Sequence, residues 1–346
     1  MSSFFSLIGI KNIHISSRQI IILNVFVITS CICFLMAAVT GSVNVPIENL
    51  IRGDISELTK IVLIEIRLPR VILAALVGAS LGISGAALQG LFRNPLADPG
   101  LIGVSAGAAL GATLVIVLGS SISGGLFLGS FLLPLGAISG AMLVIMMLYL
   151  LTKGFGYQGV TYMLLVGIAV NAIAGVGIGI LTFVSTDSEL RGLTFWTMGS
   201  FGGVTWPLLI PAIAIILISI SSMMTVSRNL DLIQLGEPEA YRLGVDVKKL
   251  KYRIIISCAA AVGASVSLSG MIGFVGLVVP HLVRLFGGVN HNYLLPGSAF
   301  VGAALMITAD MLSRTIIQPA ELPVGLITSA IGSPFFLWLI FRIKRS

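Results

Sequence analysis

The sequence predicts an all-α integral membrane protein of about ten transmembrane helices, and three observations carry that prediction. The 346 residues are 57% hydrophobic and only 10% charged, with a mean hydropathy of +1.09, whereas a soluble domain of this length needs far more surface charge. Uncharged runs long enough to cross a bilayer recur along the chain, separated by polar turns. The 40 glycines, many set among Ala and Ser, suit helices that associate in lipid by close backbone approach. The net charge of +7 therefore reads as topology and not as affinity for nucleic acid.

Residues 1–18 form a polar lead with Lys11, His14 and Arg18, and Gln19 to Asn44 is the first span, since 1.5 Å per residue carries it across a core of about 30 Å. Ile28-Thr29-Ser30-Cys31 resembles a lipoprotein cleavage box, but apolar residues continue past Cys31, against cleavage. Val45 to Arg70 is charged and reads as an external loop ending in Arg67-Leu68-Pro69-Arg70, followed by span two from Val71 to Phe92. Asn94 to Gly100 holds Pro95 and Pro99 and breaks the chain. Pro99 to Thr152 carries no charge and overshoots a bilayer as one helix, so the Gly119–Gly125 turn divides spans three and four. After the short loop Lys153 to Gln158, Gly159 to Ser185 is span five. Asp187, Glu189 and Arg191 open an outer loop through Trp196 and Trp206, and Pro207 to about Thr225 is span six.

Val226 to Arg253 is a polar island: ten charged residues fall between Arg228 and Arg253. Leu230, Leu232, Ile233 and Leu235, then Tyr241, Leu243 and Val245, alternate with those charges as in two short half-buried helices hinged at Gly236 and Pro238. Such a segment stands at a membrane surface, either as a solvated basic loop or as a patterned face for a partner.

Ile254 to Val283 fits one tilted helix or two short ones meeting near Gly270. Parity selects two, because the basic tail 342–346 otherwise emerges beside Arg67 and Arg70. Leu295 to Ser313 and Pro323 to Phe341 complete ten spans within 19–341, with both termini cytoplasmic, 14 Lys and Arg inside and six outside. Gly78-Ala79-Ser80 with Ser84-Gly85 recurs as Gly263-Ala264-Ser265 with Ser269-Gly270, either an inverted repeat or a coincidence of small residues.

Catalytic chemistry is missing from the pattern. The chain has no Gly-Lys dipeptide, hence no phosphate-cradling loop, and His14, His281 and His291 are scattered. Cys31, Cys33 and Cys258 make neither a metal site nor a disulfide framework, so no metal is expected. No carboxylate ladder runs through the spans, and Asp310, four residues before Arg314, reads as a structural ion pair. A transporter without its own relay or ATPase takes energy from a partner, and the polar island is the inward surface available.

Several blocks together resemble the iron-chelate and vitamin B12 permeases of the FecCD type, the ten-helix subunits of type II ABC importers. They are Arg67-Leu68-Pro69-Arg70, SGAALQGLFRNPLADPGLIGVSAGAALGA (Ser84 to Ala112), LGEPEAYRLGV (Leu235 to Val245), GFVGLVVPHLVRL (Gly273 to Leu285), LLPGSAFVGAAL followed by Ala309-Asp310, and PAELPVGLITSAIGSPFFLWL (Pro319 to Leu339). The resemblance implies a homodimer in a bacterial cytoplasmic (inner) membrane. Two ATPase subunits that bind ATP and Mg lie beneath it, and a periplasmic or lipid-anchored binding protein above. No cofactor or nucleic acid is implied for this chain. It implies binding-protein docking by Arg67, Arg70 and Arg314, ATPase coupling through Leu235, Gly236, Glu239, Ala240, Leu243 and Gly244, and an inner gate at Asn94, Pro95 and Leu96. Haem stands slightly ahead of ferric siderophore as cargo, since RNPLADPGLIGVSAGAAL is more similar to haem permeases, with cobalamin third. An ion-coupled secondary carrier is the reading from another class.

Overall fold

A computed structural model describes residues 15–41, 56–122, 129–152, 159–317 and 320–343. Every regular element among them is helical: α1 Ser17–Val39, α2 Glu57–Phe92, α3 Val104–Ile122, α4 Gly129–Thr152, α5 Gly159–Val184, α6 Asp187–Met198, α7 Trp206–Met224, α8 Ser227–Ile233, α9 Glu237–Arg242, α10 Val247–Ser269, α11 Val275–Gly287, α12 His291–Thr315 and α13 Val324–Ile343. Seven of these are long and apolar enough to cross a membrane, and three shorter apolar helices stand beside them.

The core is built around α2, whose span is 78% buried, whereas α1 and α5 are 17% buried and lie at the periphery. α12 runs antiparallel to α2 along most of its length. A Cβ on Gly78 would fall 2.1 Å from Gly302 O, and one on Gly82 2.3 Å from Ser298 O. Arg70 meets Asp310 at one end of this contact, and Gly90 abuts His291 at the other. The small residues therefore set a backbone-to-backbone approach that no larger side chain allows. α3 and α4 repeat the device, with Gly107 against Gly140 and Gly111 against Gly136.

α10 crosses α2 in the opposite sense, with Ser80 Oγ 2.6 Å from Ser265 Oγ and Cys258 Sγ 3.8 Å from Ser84 O. Ser80 and Ser265 are the equivalent residues of the Gly-Ala-Ser echo.

The structure corrects four boundaries. Glu57 to Arg70 is not loop: α2 begins at Glu57 and includes a π-helical turn over Val62–Arg67. At 1.5 Å per residue its 36 residues reach about 54 Å, so one end stands clear of the hydrocarbon. Leu58, Ile61 and Ile64 supply the helical periodicity among the charges, and Trp206 Nε1 donates to Ile64 O at 3.0 Å inside the π turn. Asp187 to Met198 is helix and not loop, started by a capping box in which Thr186 and Glu189 bond reciprocally. α3 continues to Ile122, past Gly119. α10 begins at Val247, capped by Asp246 on Lys249 N, so its first turns carry the basic end of the polar island. The rest of the Gly119–Gly125 turn and the loop 153–158 lie outside the described residues.

α10 and α11 are separate helices. The break falls at Gly270, with φ of 68°, where a Cβ would lie 2.1 Å from Trp196 O, and α11 then starts after Phe274 in the left-handed region.

Candidate functional site

Polar chemistry is concentrated at the two ends of α2. From Arg70 to Gly90 is about 30 Å along a helix, the thickness of a hydrocarbon core, so each end belongs to a different face of the membrane.

At the first end Arg67, Arg70 and Arg314 come together, but inward: they are 4%, 8% and 7% exposed. Arg70 Nε and Nη2 lie 2.9 and 2.8 Å from Asp310 Oδ1, while its Nη1 reaches Glu321 at 2.9 Å. Arg314 Nε lies 3.1 Å from Asp310 Oδ2, the i,i+4 pair that the spacing predicts. The C-terminal carbonyls of α1 are capped by the same cations: Arg67 donates to Ala38 O and Val39 O, and Arg314 to Ala37 O and Thr40 O. Guanidinium groups at a helix C-terminus satisfy orphan carbonyls and complement the dipole. Glu321 is the member of this cluster that the sequence did not single out. Its side chain is 47% exposed against 10% for that of Arg70, so it is the outward member of the pair.

At the second end, Arg93 takes a left-handed conformation that ends α2. Asn94 Oδ1 accepts from Leu96 N, and Asn94 O from Ala97 N, which folds Asn94, Pro95 and Leu96 into an exposed turn. Buried Gln89 anchors it, donating Nε2 to Ala97 O and Gly276 O, both at 3.2 Å. Asp98 Oδ1 accepts from Gly100 N at 2.8 Å, and burial pushes its carboxyl above the usual range, partly offset by that bond.

Against the same end sits the polar island. α8 and α9 meet at Gly236, whose φ of 115° only glycine tolerates well, followed by Pro238 in the first turn of α9. Four side-chain ties hold the pair to the body, one of them Ser227 Oγ donating to Asn292 Oδ1 at 2.6 Å. Gln234 Nε2 donates to Gly90 O at 2.7 Å, Asp231 Oδ1 lies 2.6 Å from His291 Nδ1, and Lys251 Nζ lies 2.8 Å from Glu237 Oε2. Sequence reading missed all four, because each joins residues of separate elements.

The outward face of α8 and α9 is apolar at its centre. Leu235, Tyr241 and Leu243 are 63%, 64% and 58% exposed, with Glu239, Arg242 and Gly244 exposed beside them. Gly236 and Ala240 are buried beneath. Tyr241 belongs to this face too, although the resemblance implied a coupling role only for its neighbours. An exposed apolar cluster rimmed by charge is the anatomy of a protein interface. Among the described residues no group of three His, Cys, Asp or Glu side chains is placed to hold a metal.

Comparison with known proteins agrees with this layout. Residues 27–342 match the model of the FecCD transport family. The hemin transport system permease protein HmuU of Yersinia pestis is 47% identical over 282 residues, covering 82% of this chain and 84% of that protein. The vitamin B12 import system permease protein BtuC of Vibrio vulnificus is 39% identical over 290 residues, 81% of this chain and 82% of that one. A metal-chelate type ABC transporter solved in an inward-facing conformation superposes with a TM-score of 0.82 at 32% identity, covering 93% of this chain and 99% of the other. A buried core, two polar ends one bilayer apart and the match along almost the whole sequence lead to one conclusion: the chain belongs to the FecCD transport family, as the multi-pass membrane permease subunit, not itself an enzyme, of an ABC importer that works with an ATPase and a substrate-binding protein.

Proposed function

We propose that this permease carries haem across a bacterial cytoplasmic membrane, as a homodimer with both termini in the cytoplasm. The observation that supports haem is the higher identity to the hemin permease than to the vitamin B12 permease. Ferric siderophore is the second cargo, and cobalamin the third.

The face of Leu235, Glu239, Leu243 and Gly244, shaped by Gly236 and Ala240 beneath it, seats in the ATPase, which holds ATP and Mg; this chain carries no cofactor. Asn94, Pro95 and Leu96, tied through Gln89 to α11, form the inner gate next to that face. Arg67, Arg70 and Arg314 mark the docking end for a periplasmic or lipid-anchored binding protein. Arg70 exchanges exposed Glu321 for a carboxylate of that protein, while Arg67 and Arg314 keep the end of α1 in place.

Vesicles containing the permease with its ATPase and binding protein test the cargo. Loaded with ATP inside, they take up haem faster than a ferric siderophore or cobalamin. Uptake of cobalamin without haem overturns the cargo assignment. Uptake driven by a proton or sodium gradient without the ATPase overturns the mode of energy supply.

A further inference from the structure

An apolar groove of about 470 Å³ runs between α4, α7 and α10, outside the two polar ends and unused by the transport scheme above. Its floor is a close helix approach, where a Cβ on Gly263 would lie 2.9 Å from Ala141 Cβ. Met142, Met146 and Ile256 form the lips and are 62%, 58% and 44% exposed.

The end toward the polar island differs from the rest. Tyr149 and Tyr252 stand there with ring centroids 5.2 Å apart. Next to them Arg253, exposed, donates Nε to Ser222 Oγ at 3.1 Å, and Ser257 Oγ donates to the same atom at 2.9 Å. No carboxylate pairs with Arg253 among the described residues, and Asp246, at the start of α10, is taken by Lys249. Helical spacing puts Lys249, Arg253, Ile256, Ala260 and Gly263 on one face of α10, so the basic end continues the line of the groove.

We propose that this groove binds a single anionic phospholipid, one acyl chain lying along Ile256 and Ala260 and the phosphate on Arg253. Tyrosines belong at the headgroup level of a membrane, which sets the height of the groove's polar end. Basic residues at that level attract anionic headgroups. A packed apolar helix in the same place strips water from the guanidinium and returns nothing to it.

The test uses the assembled importer in vesicles, with Tyr149→Trp as a fluorophore at the mouth of the groove and the parent signal subtracted. Brominated phosphatidylglycerol should quench it with about fivefold preference over brominated phosphatidylcholine, the factor that one basic residue near a surface supplies. Arg253→Gln should bring the ratio to one, Arg253→Lys should keep it, and Ala260→Phe, which fills the groove, should weaken quenching by both lipids. Added salt should lower the ratio with Arg253 in place, a readout that requires no second variant to fold. Equal quenching by the two lipids, or a preference that survives Arg253→Gln, overturns the proposal in favour of unselective boundary lipid. No quenching by either lipid overturns it in favour of a protein helix covering the groove.

Discussion

Arg70 and Asp310, 240 positions apart in the chain, meet through two guanidinium nitrogens, Nε and Nη2, 2.9 and 2.8 Å from one carboxylate oxygen. Asp310 also holds Arg314, so a single 1%-exposed carboxylate is shared by two buried cations. Asp310→Ala leaves Arg314 without a carboxylate and Arg70 with half-exposed Glu321 alone, and breaking a buried pair from one side costs roughly 3–5 kcal/mol. Glu321→Ala removes a half-exposed partner and should cost less than about 1 kcal/mol. Thermal unfolding of the purified permease should show a large loss for the first and a small one for the second. Equal losses would place the keystone elsewhere.

The same cluster separates a docking role from a structural one. A charge-assisted hydrogen bond is worth about 1.5 kcal/mol, roughly tenfold in affinity. Arg70→Gln should therefore raise about tenfold the binding-protein concentration that half-stimulates ATP hydrolysis, with the maximal rate retained. Glu321→Gln releases Arg70 from its internal competitor and should lower that concentration. A purely architectural Arg70 predicts that neither shift occurs.

Gly78 and Gly302 set the distance between α2 and α12. Gly78→Ala places a Cβ 2.1 Å from Gly302 O, and a backbone atom has no rotamer by which to yield. The helices must part, at a cost of about 1–3 kcal/mol by analogy with overpacked cores. Gly175 in α5 is also helical, but an added Cβ there meets nothing within 4 Å. Gly175→Ala should leave the unfolding midpoint unchanged or raise it, through the better helix propensity of Ala. The paired measurement distinguishes close approach from the general preference of lipid-embedded helices for glycine.

Which of these features are legible in the sequence follows from their range. Span count, the break near Gly270 and the two short helices around Gly236 rest on hydropathy, glycine and proline, which act within a few residues. The Asp310–Arg314 pair is one helical turn and was equally readable. Arg70 with Glu321, Asp231 with His291 and Gln234 with Gly90 O join distant elements, and no periodicity announces them. Glu57 to Arg70 misled for a related reason: charge density marks exposure to water, and a helix that projects from the membrane is as charged as a loop. The arginines of the first end were found from a resemblance. Their burial against the carbonyls of α1 depends on where Thr40 stops, which only the fold decides.

Asp98 supplies a pH dependence whose sign is fixed. Burial raises its carboxyl above the ordinary range, with the Gly100 amide offsetting only part of that. A carboxyl with a folded pKa above its unfolded value of about 4 opposes folding once pH climbs past the unfolded value, and the penalty grows until pH passes the folded one. Stability should therefore fall with rising pH from about 4 upward at this site. Asp98→Asn keeps the acceptor for Gly100 N and removes the titration. Its unfolding midpoint should exceed that of the parent at neutral pH and match it at low pH. A parent and variant that run parallel across the range would exclude a buried, reluctant charge at this turn.

On the proposed seating of the ATPase, coupling divides between a surface and a strut. Leu235 and Leu243 are exposed and make no internal packing that would explain them, so Leu243→Asp should weaken ATPase retention in pull-down at least tenfold, the scale on which central interface residues act. Reversing Glu239 and Arg242 together should detach the ATPase in the same assay, and retention with full transport would count against this face. Glu237 is different, because its partner Lys251 lies in α10, 2.8 Å away and 5% exposed. Glu237→Gln leaves the outward face intact while loosening α9 from the helix that it must move. Retention should then be normal and the amount of substrate carried per ATP should fall. If Glu237→Gln instead releases the ATPase like Leu243→Asp, the ion pair shapes the seat itself and force reaches α10 by another route.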